Sequence, residues 1–371
     1  MTTSFLQILH QHAARYPLMT PTDYGKLAYQ SEFGPGHMIS DKQAALSRLL
    51  EEWQVIAAAP GSAGTGLCPE RRQIAGGDAP SHAAAPTAEP IGDGLCRFHL
   101  NGDYNPAQAA PLLTELFSRT ALEHTGTKEG LAGKLSLLGG LSVPGMAQWL
   151  KQYQGEGCPP VHHSTVFREA YHPHYRVLDC DYANFFPALL PIWELMQSGV
   201  RAVVAIDGRC GSGKTEFASL VERLFPCNVL HLDDFYLPFD ARDPNWEQLP
   251  GGNIDFERLL EQTILPARRG EQIEYRSFDC ATQRQNQAVI LPPRRLTVVE
   301  GSYSLHPRLV AQYDKAIFLT CSKERQMHRL KRREGDASRF KALWIPMEER
   351  YLECCNVRQT SDLTLDTSDF F

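Results

Sequence analysis

Phe5, Ile8 and Leu9 are spaced as neighbours on one helix face, and the segments 44–53 (AALSRLLEEW) and 146–153 (MAQWLKQY) repeat that period. These patterns predict an N-terminal α-rich α+β domain over residues 1–180. The stretch 182–199 (YANFFPALLPIWELMQSG) predicts an apolar helix closed by Gly199, with Pro187 and Pro191 breaking its early turns. From Arg201 the pattern changes. Short β-branched runs at 201–207, 228–232, 295–300 and 315–320 alternate with helical segments at 215–225, 253–265 and 322–334, and again around 337–355. Asn253 or Asp255 should cap the helix at 253–265, and Pro266 should end it. Such alternation predicts an α/β domain over 181–371, with a parallel sheet flanked by helices.

Composition adds one exception inside the first domain. Residues 57–95 are so rich in Ala, Gly, Pro and Ser that they read as a mobile surface loop. The whole chain, 371 residues with 43% hydrophobic content, is long enough for two domains with cores of their own. A net charge of −6 provides no overall basic field, so no nucleic-acid partner is expected. Ten cysteines without a C-x-x-C pair read as reduced thiols rather than disulfides or structural zinc. No apolar run approaches the length of a membrane span, and the N-terminus lacks a signal-peptide pattern. The expectation is a cytoplasmic protein without a membrane partner, compatible with a monomer or an oligomer.

Candidate chemistry begins at 208–215, GRCGSGKT, which matches the phosphate-binding P-loop pattern G-x-x-x-x-G-K-[ST] between a predicted strand and a predicted helix. The second domain is therefore expected to be a P-loop NTPase domain. Gly208, Gly211 and Gly213 let the backbone curl, so that amides of the run Gly208, Arg209, Cys210, Gly211, Ser212, Gly213, Lys214 and Thr215 point inward at phosphates. Lys214 adds a point charge, and the Thr215 hydroxyl is placed to ligate Mg²⁺, so ATP and Mg²⁺ are the expected cofactors. Cys210 reads as a small tolerated side chain rather than a redox switch. The adjacent acids of 231–238, HLDDFYLP, follow the second strand and so stand at the sheet edge where α/β folds bind ligands.

Five motifs in order, AIDGRCGSGKT (205–215), HLDDFYLP, EYRSFDC (274–280), VVEGSYSLHPRL (298–309) and RLKRREG (329–335), resemble the uridine kinase and phosphoribulokinase family of P-loop kinases. The resemblance runs from about Arg201 to the C-terminus. It implies transfer of the ATP γ-phosphate to a hydroxyl of a small metabolite such as a nucleoside, a sugar or a vitamin. It also implies that Asp233 is the base that orients or deprotonates the acceptor hydroxyl. Asp234 is left either with water-mediated Mg²⁺ or with a turn to cap, and Glu300 with water-mediated Mg²⁺. Arg329, Arg332 and Arg333 share one helix face by their i, i+3, i+4 spacing, and in this family such arginines close as a lid over the transferring phosphate. Tyr236, Arg276, Asp279 and Arg284 are candidates for the acceptor pocket. The segment 278–284 lacks the histidine that contacts the base in uridine kinases, so the acceptor need not be a pyrimidine nucleoside.

Two stretches of the first domain stand outside this resemblance. Residues 23–38 (DYGKLAYQSEFGPGHM) look like a shaped loop, and 161–182 gathers His162, His163, His172 and His174 without a standard metal-ligand spacing, which favours a structural role. A metabolite kinase and an ATP-binding sensor or regulatory module both remain open, with Asp233 favouring the kinase.

Overall fold

The computed structural model describes residues 4–36, 39, 41–58 and 87–370. These form two compact units, Met1–Asn184 and Phe185–Phe371. Among the described residues no helix is long and apolar enough to cross a membrane.

Among the described residues the first unit sets seven helices of seven or more residues around a three-stranded antiparallel sheet, β1 (Ala88–Gly92), β2 (Leu95–His99) and β3 (Tyr175–Asp179), in the order β1-β2-β3. The expected helices form as Phe5–Arg15, Lys42–Ala58 and Met146–Gly155. Most of the Ala/Gly/Pro-rich stretch, residues 59–86, lies outside the described residues. Its end, however, is a hairpin rather than loop, because Ile91 and Leu95 are buried and Asp93 and Gly94 turn the chain with positive φ.

Residues 23–33 also differ from expectation. They belong to the helix Pro21–Phe33, started by a Thr20/Asp23 capping box and stopped by Gly34 at φ 54°. His37 and Met38 lie outside the described residues. The helix escaped its period because it is buried on nearly every side, polar Asp23, Gln30, Ser31 and Glu32 included. Asp23 accepts from His163 Nδ1 (2.9 Å) and Ser164 Oγ (2.7 Å), and Tyr175 Oη lies 2.7 Å from His163 Nε2. The other three histidines of that stretch are exposed, with His174 paired to Glu52.

Burial opposes ionisation of Asp23, but hydrogen bonds from His163, Ser164 and Thr20 outweigh it and hold the carboxyl well below its usual range. Burial likewise lowers His12 and His163 to about 4 each. Both imidazoles are thus neutral in the folded unit, while the unfolded chain protonates them near 6.5. As pH falls from 7 to 5 the unfolded state gains protons that the native state refuses. Stability should drop by about 2 kcal/mol per histidine. Hydrogen exchange in the Pro21–Phe33 helix of the full chain, corrected for intrinsic rates, measures this; an opening free energy equal at pH 7 and 5 would contradict the neutral assignment.

The second unit is an α/β fold with five parallel strands: β4 (Ala202–Gly208), β5 (Cys227–His231), β8 (Leu296–Glu300), β9 (Lys315–Thr320) and β10 (Leu363–Asp366), ordered β10-β9-β4-β8-β5. β4 is buried at all seven positions, as a central strand covered on both faces must be. Val203, Ala205, Val299, Ala316 and Phe318 turn to one face, in a cluster with Leu259, Ile264 and Tyr351. The alternate residues meet the helices Phe186–Gln197 and Lys214–Leu224, with Phe185 stacked on Phe217 at 4.7 Å. Pro187 sits in the first turn of Phe186–Gln197, where its missing N–H costs nothing, and Pro191 is carried inside that helix.

One expectation needs correction here, and one element was not anticipated. Asp255 does cap the next helix, but Pro266 does not end it: a π-turn at Leu260–Ile264 carries the chain past the proline to Arg269, and Gly270 at φ 76° stops it. The segment 273–291 forms an antiparallel hairpin, β6 (Ile273–Asp279) with β7 (Arg284–Leu291), beside the turn at Leu232–Phe235. It escaped notice because β7 is mostly exposed and polar.

Candidate active site

All five parallel strands end at one edge of the sheet, and the P-loop, Glu300 and the two acids after β5 lie at strand ends there. Gly208 closes β4 with φ 154°, where a Cβ would run into the Leu319 carbonyl. Gly211 (φ 74°) and Gly213 (φ 91°) supply the left-handed turns that aim the loop into the helix Lys214–Leu224. Arg209 N–H donates to Leu319 O, and Ser212 N–H to Arg209 O. Lys214 Nζ folds back over the loop, donating to Gly208 O (2.9 Å), Arg209 O (3.1 Å) and Ser302 Oγ (3.3 Å). Burial pushes the Cys210 thiol up to about 12, so it is no reactive thiolate.

Glu300 ends β8, between β4 and β5, and is buried. Its Oε1 accepts from Thr215 Oγ1 at 3.4 Å and lies 2.6 Å from His231 Nδ1. That hydrogen bond, reinforced by the charges of Glu300, Asp234 and Asp233, raises the pKa of His231. Thr215 and Glu300 thus present two hard oxygen donors side by side, a donor set that suits Mg²⁺.

The two acids after β5 have different surroundings. Asp233 is exposed, and its Oδ1 accepts from Tyr236 Oη at 2.7 Å, which leaves Oδ2 open. Asp234 is half-buried, and its Oδ2 accepts from Tyr275 Oη at 3.0 Å. Burial raises its pKa. Its carboxylate therefore ties the hairpin to the turn, and no contact joins it to Thr215 or Glu300 among the described residues. Of the two roles open to it, the Tyr275 bond shows it shaping the turn, and water-mediated Mg²⁺ binding needs no contact that this geometry excludes.

The acceptor candidates on the hairpin divide likewise. Asp279 accepts from Ala281 N, Thr282 N and Thr282 Oγ1, so it shapes the hairpin turn. Arg276 is exposed and donates to Asn286 O across the strands, and Arg284 is exposed opposite Asp279. The three candidate arginines among the four of the Lys323–Glu334 helix also separate. Arg329 donates to Gly211 O (3.0 Å), Thr367 Oγ1 (3.1 Å) and Thr367 O (2.5 Å), which braces the P-loop against the chain after β10. Arg333 pairs with Glu334 and lies over the Phe340 ring, whereas Arg332 is exposed with no hydrogen bond or ion pair among the described residues.

Three functional neighbours were not anticipated. Asp207 accepts from Gly208 N (2.6 Å), Leu305 N (2.7 Å) and Tyr351 Oη (2.6 Å), with no exposure. Glu348 accepts from Cys210 N, and Glu349 pairs with Arg209. An acid closing the apolar run AID was a legible sign for Asp207; the two glutamates, more than 130 residues from the loop, carried none.

No protein-family profile matches the chain, and no curated protein matches it. Among solved structures it is similar to a possible uridine kinase from Bacillus stearothermophilus, at 17% identity and a TM-score of 0.37, over 47% of this chain and 96% of that one. It is similar also to a candidate fructose transport system kinase from Silicibacter sp. TM1040, at 23% identity and a TM-score of 0.33, over 47% of this chain and 97% of that one.

Proposed function

We propose that the second unit is an ATP-dependent small-molecule kinase, uridine kinase-like, that moves the γ-phosphate of ATP to a hydroxyl of a nucleoside-like, sugar or vitamin-like acceptor. The observation that carries this reading is an exposed carboxylate, Asp233, one strand end beyond Glu300 on the same sheet edge as the P-loop. A nucleotide-binding module that transfers nothing has no use for an open acid at that place.

In this reading the P-loop amides and Lys214 hold the phosphates and stabilise charge on the γ-phosphoryl oxygens. Thr215, with Glu300 through water, would hold Mg²⁺, which would neutralise phosphate charge. Asp233, held by Tyr236, takes the acceptor proton through its open oxygen as the acceptor oxygen bonds phosphorus and the bond to ADP breaks. Arg332, which has no hydrogen bond or ion pair among the described residues, is the cation for the transferring group, while Arg329 keeps the loop in shape. Tyr236 and Arg276 line the acceptor side.

The test is ADP release with ATP and Mg²⁺ over a panel of nucleosides, sugars, polyols, vitamins and hydroxy amino acids. Acceptor-dependent turnover with at least one compound is expected. Lys214→Ala should weaken ATP binding about 100-fold, close to 3 kcal/mol. Nucleotide binding without turnover on any compound would leave a sensor module instead.

A further inference from the structure

Glu348 belongs to the helix Ile345–Cys354 and is 3% exposed. Its Oε2 accepts from Cys210 N–H at 2.5 Å and lies 3.4 Å from Ser302 Oγ, and its Oε1 accepts from Gln326 Nε2 at 3.1 Å. The following residue, Glu349, is paired with the Arg209 guanidinium. Two consecutive carboxylates of one helix therefore grip two consecutive residues of the P-loop. Gln326, from the Lys323–Glu334 helix, joins the same knot by donating to Cys210 O at 3.1 Å. The charged and titratable groups around Glu348 are Lys214, Arg209, the Cys210 and Cys321 thiols and the Tyr303 hydroxyl.

A P-loop binds phosphate through its backbone amides, and Cys210 N–H is one of them. That single hydrogen serves one anionic oxygen well. A carboxylate oxygen and a phosphate oxygen are acceptors of the same kind, and two anions brought to one buried donor also repel. Resting on the P-loop reading above, we propose that Glu348 stands in for a phosphate oxygen on Cys210 N–H, that a nucleoside triphosphate must displace it, and that displacement releases the Ile345–Cys354 helix from the loop. Through Gln326 the same event loosens the helix that carries Arg329, Arg332 and Arg333. Occupancy of the phosphate site is thereby coupled to the arginine-bearing segment. Burial also raises the pKa of Glu348.

Calorimetric titration of the full chain with ATP and Mg²⁺ tests this with Glu348→Gln, which keeps shape and an acceptor oxygen but removes the charge. The expected result is ATP binding about tenfold tighter than wild type. A folded Glu348→Gln chain that binds ATP as wild type does, or more weakly, overturns the proposal, since a purely structural carboxylate predicts that outcome. Should the variant fail to fold, hydrogen exchange on the wild type decides. ATP should speed exchange in residues 345–354 while slowing it in the P-loop, and unchanged or slower exchange in 345–354 overturns the proposal. Lys214→Ala separates the two readings. If it leaves ATP affinity intact, the P-loop reading fails and takes this one with it; if it weakens ATP while Glu348→Gln does not tighten it, only the role of Glu348 falls.

Discussion

Asp233→Asn should lower acceptor-dependent phosphoryl transfer by about 100- to 10,000-fold, the range for loss of a positioned general base. The substitution keeps size and hydrogen-bonding reach but removes the charge that accepts a proton. Because Asp233 is exposed and, among the described residues, bonds only the Tyr236 hydroxyl, folding should hardly change. ATP affinity should stay within about twofold of wild type, since in the proposed function the residue meets the acceptor and not the phosphate loop. Tyr236→Phe should produce a smaller loss, because it frees the carboxylate to rotate without removing it. Initial rates with the best acceptor from the panel, alongside ATP titrations, check all three. An Asp233→Asn enzyme with wild-type kcat would remove the base from the mechanism.

The second large effect concerns Asp207, whose carboxylate joins the first glycine amide of the P-loop, the Leu305 amide and the Tyr351 hydroxyl inside the protein. Asp207→Ala leaves three buried donors without their acceptor. At about 1–3 kcal/mol for each orphaned group, partly offset by relaxation and water entry, a net loss of about 3 kcal/mol is expected. For a unit of this size that corresponds to roughly 6–12 °C in Tm. ATP affinity should fall too, since Gly208 opens the phosphate loop. Asp207→Asn retains one carbonyl acceptor and should lose less than Asp207→Ala. Calorimetric unfolding of the full chain measures both, and a loss under about 1 kcal/mol for Asp207→Ala would mean that the buried carboxylate is not the clasp described here.

Much of the second unit was legible along the chain. Four of its five parallel strands are short, apolar and separated by amphipathic helices, so period and punctuation marked them closely; the short β10 was not anticipated. The glycines of the P-loop were readable because positive φ and backbone contact leave no room for side chains. Where the sequence reading failed, the cause was usually a contact distant in sequence. The Pro21–Phe33 helix lost its period to burial on all sides, and β7 lost its signal to exposure. Arg329, Arg332 and Arg333 share a helical face by spacing, yet the carbonyls of Gly211 and Thr367 claim Arg329 and leave Arg332 free. Asp279 resembled a pocket residue until the Ala281 and Thr282 donors defined it as a turn.

The sequence alone determined the phosphate-loop motif, its lysine and hydroxyl, four of the five parallel strands and the acid after β5, since each depends on neighbours within a few residues; the strand order and β10 came only from the fold. Tertiary structure alone decided which acid of that pair stays open. It also gave Asp207, Glu348 and Glu349 to the phosphate loop, and joined Asp23 to His163 across 140 residues. A carboxylate's work is set by the donors that reach it, and most of those donors arrive from elsewhere in the fold.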